Sequence, residues 1–248
     1  MVLCRTVSAR TGGDPIKRNT INVTLTPAEK SLASRIQFDE QVLRMVKSIV
    51  GRDIEPYAKY TVDIDGWDGI VTADEETNGR GLTVKIDENY AVTDWHLGEL
   101  HSLREILPAG YSAFLTEDDC YRSDLTILKT SDPYDILRVR DTYGWDVQHR
   151  LYNSEDLTGV LTEWQKECCL NIVGADYHNV KLIMGTLPND LVAFAEKVNF
   201  LCCELDQIYD FIDYGDGTNE GRQAGARAVA EKLAAHLRET RRLYLWWD

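Results

Sequence analysis

From Thr26 to Val50 the apolar positions Leu32, Ile36, Phe38, Val42, Leu43, Val46 and Ile49 recur near helical spacing, and Thr26-Pro27-Ala28-Glu29 supplies an N-cap, a proline at the first helical position and an early acid. The pattern predicts a helix. Short β-rich runs follow at Tyr60 to Ile64, Trp67 to Thr72 and Leu82 to Ile86, set apart by the turn-forming sequences Asp65-Gly66 and Asn78-Gly79-Arg80. They predict an antiparallel meander. Asp94 to Ile106 reads as a helix ended by Pro108 and Gly110, and Tyr111 to Leu115 as another strand.

Beyond the solvated loop at Glu117, Asp118 and Asp119, a β pattern runs from Leu125 to Lys129, and Ser131-Asp132-Pro133 opens a short helix or turn through Leu137. Ser154 or Asn153 caps an amphipathic helix with Leu157, Val160, Leu161, Trp164 and Cys168 on one face. Leu170 to Ala175 and Val180 to Met184 read as paired strands joined by Asp176-Tyr177-His178-Asn179. Pro188-Asn189-Asp190 opens a helix with Leu191, Phe194, Ala195, Val198 and Leu201 inward, and Gly221 to Thr240 forms another with Ala226, Val229, Ala230, Leu233 and Leu237 on one stripe.

The chain closes on Leu243-Tyr244-Leu245-Trp246-Trp247-Asp248. Such a run hides its surface by docking as a last β-strand, with one tryptophan in the core and the other in a groove or at a contact surface. The expected class is α+β. A flexible stretch over 1–20 precedes an N-terminal lobe of helix and antiparallel meander over 21–110, and 111–248 forms a split β-α-β-β-α-β-like domain with a docked terminal strand.

Charge narrows the function classes. A formal net charge of −14 disfavours nucleic acid, whose phosphates require clusters of Lys and Arg, and equally an anionic membrane. It suits a basic protein partner, because opposite potentials steer encounter. No stretch approaches the roughly 20 apolar residues of a membrane span, and the first residues lack the apolar block of a signal peptide, so the expected location is cytoplasmic. The adjacent pairs Cys168-Cys169 and Cys202-Cys203 fall in predicted helices, where they read as small buried hydrophobes in a reducing compartment.

No catalytic residue, metal site or cofactor is assigned. His96 and His101 stand five apart, where a zinc-binding helix needs four, and the Asp63, Asp65 and Asp68 cluster lacks the closing Glu of a calcium loop. Gly215-Asp216-Gly217 lacks the lysine and hydroxyl of a phosphate loop. Two candidate regions stay open. One is a pocket formed by Asp176, His178, Trp246, Trp247 and Asp248, in which carboxylates and an imidazole in an aromatic groove would do acid and base work. The other is the acid-aromatic stretch after Glu204, where Tyr209, Phe211 and Tyr214 would anchor a partner and Asp206, Asp210, Asp213 and Asp216 would steer it.

Asp132-Pro133-Tyr134-Asp135-Ile136-Leu137, Asp141-Thr142-Tyr143-Gly144, Glu163-Trp164, Gly174-Ala175-Asp176, Leu187-Pro188, Phe194-Ala195 and above all the terminal Leu-Tyr-Leu-Trp-Trp-Asp resemble the bacterial domain-of-unknown-function family numbered 4253. The likeness spans about Tyr111 to Asp248 and implies a shared fold without established chemistry. Where members of that family usually carry a Cys-Pro-Asp-like segment and a short Gly-rich link, this chain has Cys202-Cys203-Glu204 and a longer acidic, aromatic insertion. Domains of this sort often accompany bacterial immunity and toxin genes. The resemblance therefore implies an immunity protein that neutralises a toxin effector; an enzyme using the Asp176 and His178 pocket is the alternative, and the oligomeric state is left open.

Overall fold

The hydroxyl of Thr26 accepts the Glu29 N–H while the Glu29 carboxylate accepts the Thr26 N–H, a capping box that starts helix α1 (Pro27–Arg35) where its sequence placed it. The single helix expected as far as Val50 is two. Gln37 takes φ 56° and Asp39 caps a second helix, α2 (Glu40–Val50), which closes on Gly51 at φ 70°. The apolar spacing carried through the break because Ile36 and Phe38 are buried in the corner itself. The structure, a computed structural model, describes residues 23–57, 59–61, 72–74, 81–85, 97–117, 123–202, 204–205 and 219–247.

The chain divides into two compact units, Met1–Pro133 and Tyr134–Asp248. In the first, β1 (Glu55–Pro56), β4 (Gly81–Lys85), β6 (Ser123–Leu128) and β5 (Ser112–Glu117) lie side by side in that order, each pair antiparallel. β2 (Lys59–Thr61) and β3 (Thr72–Asp74) form a separate ladder. The strand at Leu82 thus pairs with β1 and β6, not with the run before it as a meander would require. Leu82, Val84, Leu125 and Ile127 are buried, and α3 (Leu97–Ile106) adds Leu100 and Leu103.

Two charged groups inside this unit are held by what surrounds them. Arg104 donates through Nε to the Ala113 carbonyl at 2.9 Å and lies 5.5 Å from the Phe114 ring centre, and burial pushes its guanidinium down to about 10. Glu29 is 3% exposed, pairs with Lys47 at 2.6 Å and accepts the Ile54 N–H at 3.3 Å. A single carboxylate therefore caps α1, holds α2 and fixes the turn into β1.

In the second unit, α4 (Asp135–Val139) leads into the two-residue strands β7 (Gly144–Trp145) and β8 (Leu151–Tyr152), which pair across a turn. Asp146 organises that turn. Its Oδ1 accepts the N–H groups of Gln148 and Arg150, and its Oδ2 the Tyr152 hydroxyl. Burial raises its carboxyl, but these donors outweigh burial and hold it below the ordinary value. Asn153 then caps α5 (Ser154–Glu167) with a second capping box closed by Asp156.

The hairpin β9 (Leu170–Asp176) and β10 (Asn179–Met184) follows, then α6 (Leu191–Leu201), α7 (Asn219–Thr240) and β11 (Arg242–Trp246). The terminal strand docks as its composition predicted, antiparallel to β10. Within this unit the order is accordingly β9-β10-β11, so the α+β class holds while the strands run as a hairpin extended at its β10 side. The reason is the α6–α7 pair, which carries the chain away and back. α7 buries Val229, Ala230, Leu233, Ala234 and Leu237, while Ala226 is exposed.

The cysteines differ from expectation. Cys168 and Cys202 stand just past the ends of α5 and α6 as their C-caps, and Cys169 is disulfide-bonded. Burial, with the Glu167 charge adding to it, pushes the Cys168 thiol up to about 12.

A pH dependence follows from Glu29. Burial raises its carboxyl, but the Lys47 ammonium and the Thr26 and Ile54 N–H groups hold it below the ordinary value of 4.5. The ionised form therefore stabilises the fold above the unfolded-chain value, and that contribution disappears as pH falls through the lower folded value. Urea unfolding at a series of pH values should show Glu29→Gln less stable than wild type at neutral pH, with the gap closing between about pH 5 and pH 3.

Candidate functional site

β9 ends at Asp176, and the chain turns through Tyr177 and His178 into Asn179, which is registered opposite Asp176 and, on its other side, opposite Trp246. The turn is tied at both of its carbonyls. Tyr143 N–H donates to the Tyr177 oxygen at 2.8 Å and Trp247 N–H to the His178 oxygen at 2.9 Å. Three segments remote in sequence thus meet at one hairpin tip, and backbone hydrogen bonds hold them there.

Asp176 is 2% exposed and forms an ion pair with Arg140, itself 6% exposed, while its Oδ1 also accepts the Tyr177 N–H at 3.1 Å. The guanidinium arrives there because α4 ends at Arg140 and the chain reverses through Asp141 at φ 48°. His178 is buried, its ring centre 4.0 Å from that of Tyr177 and 6.1 Å from that of Trp246, which meets it edge-on.

Trp247 is 1% exposed. Its indole N–H donates to the Leu201 carbonyl at 3.1 Å, satisfying a carbonyl at the end of α6, and Cys202 Sγ donates to the Trp246 carbonyl at 3.1 Å. A Cβ built on Gly144 would fall 2.6 and 2.7 Å from Trp247 Cδ2 and Cζ2, so the ring lies flush against the β7 backbone. The two tryptophans divide as the alternation predicted, Trp246 half-buried on the strand and Trp247 in the core.

Of the five residues proposed for a pocket, the structure brings four together: Asp176, His178, Trp246 and Trp247 converge on the hairpin tip. Asp248 lies outside the described residues, as do Asp206, Tyr209, Asp210, Phe211, Asp213, Tyr214 and Asp216 of the partner-binding stretch. His96, Asp63, Asp65 and Asp68 lie outside them as well. The convergence is packed: Asp176 is engaged by Arg140, and Trp247 fills the volume beside Gly144. No three His, Cys, Asp or Glu side chains gather into a metal-binding group among the described residues.

A cavity of about 590 Å³ opens elsewhere in the same unit, between α5 and α6. Tyr152, Val160, Trp164, Ala193, Phe200 and Leu201 supply its apolar walls, with Glu196 and Lys197 at the edge. Trp164 and Phe194 pack edge to face at 5.3 Å beneath it. Phe200 is 43% exposed, and its carbonyl accepts the N–H of Val147, which is 44% exposed; Leu151 on β8 is 61% exposed. Sequence reasoning missed this region. Phe200 falls off the inward stripe of its helix, so periodicity along the chain assigns it no role.

Fold and site together define an α+β protein whose terminal strand is locked beneath a helix end and whose cavity is apolar. Residues 124–248, half of the chain, match the family model of the domain of unknown function DUF4253, and the chain belongs to that family. No curated protein and no solved structure matches it. No helix among the described residues is long and apolar enough to cross a membrane.

Breaking the buried pair on one side should be costly, since it strands a charge: Arg140→Met should lower the unfolding free energy by about 3–5 kcal/mol. The double variant Arg140→Met with Asp176→Leu should recover part of that loss, and urea titration of the two proteins reads the difference.

Proposed function

We propose that this protein is a non-catalytic binding protein that docks to a basic protein partner and, in the most specific form of that reading, an immunity protein that neutralises a bacterial toxin effector by covering its active-site cleft. The observation that carries the proposal is the coincidence of exposed apolar side chains with strong acidity. Val147, Leu151 and Phe200 stay exposed in a chain of net charge −14, and Phe200 lies at the end of α6, just before the stretch that holds Asp206, Tyr209, Asp210, Phe211, Asp213, Tyr214 and Asp216. Aromatic and apolar anchors within a negative field are what a positively charged partner surface requires.

The rival, an enzyme working at Asp176 and His178, draws less support. Its carboxylate is engaged by Arg140, and the indole that would line its pocket is sealed against Gly144.

The proposal is tested by affinity capture from the source organism with mass spectrometry, followed by binding kinetics on the purified partner. Asp206→Lys, Asp210→Lys, Asp213→Lys and Asp216→Lys combined should slow association at low salt by about tenfold or more and leave dissociation largely unchanged. Unchanged kinetics, or a captured partner that is acidic, would reject it.

A further inference from the structure

We draw no further inference here: the strongest candidate, the apolar cleft between α5 and α6, carries nothing because Glu196 and Lys197 at its edge are already paired with Arg227 and Glu167 and nothing in the structure shows what covers it.

Discussion

The C-terminal unit depends on the seating of one side chain. Trp247 fills the space beside Gly144, donates its indole N–H to the end of α6 and its backbone N–H to the tip of the β9–β10 hairpin. Large aromatic burial stabilises a core by several kcal/mol, and here it also satisfies two carbonyls that burial would otherwise leave unpaired. A one-residue slip of β11 against β10 would turn Leu243 and Leu245 out of the core.

Buried charge is handled the same way in both units: each such group serves several elements at once. Glu29 joins a helix cap, a neighbouring helix and a turn; Asp176 joins a hairpin tip to the end of α4. Removing such a group costs more than a contact, since its partners stay buried without it. The apolar residues set where the elements go, and these few ionic groups set how the connections bend. A protein built this way tolerates change on its helix surfaces and resists it at its corners.

The α5–α6 cleft and the exposed apolar groups beside it are features that the core does not use. The cleft between α5 and α6 persists because Trp164 and Phe194 pack beneath it and leave Val160, Ala193 and Phe200 as walls, none of which closes the gap.

Periodicity, capping residues and turn chemistry determined the element types along most of the described chain: the Thr26 cap with its proline and early acid, the β9–β10 hairpin, the inward stripe of α6 and the docking of the terminal strand were legible, because each depends on residues a few positions apart, whereas the cap of α5 was narrowed only to Ser154 or Asn153. The break between α1 and α2 was not, since apolar spacing is indifferent to a corner whose own residues are buried. Nor were the pairing of β4 with β6, the meeting of Arg140 with Asp176, or the cleft walled by Phe200. Those depend on which distant segments are brought together, and a lone chain states its local preferences without stating its neighbours; only packing in three dimensions decided that Trp247 would close the core and that Phe200 would be left outside it.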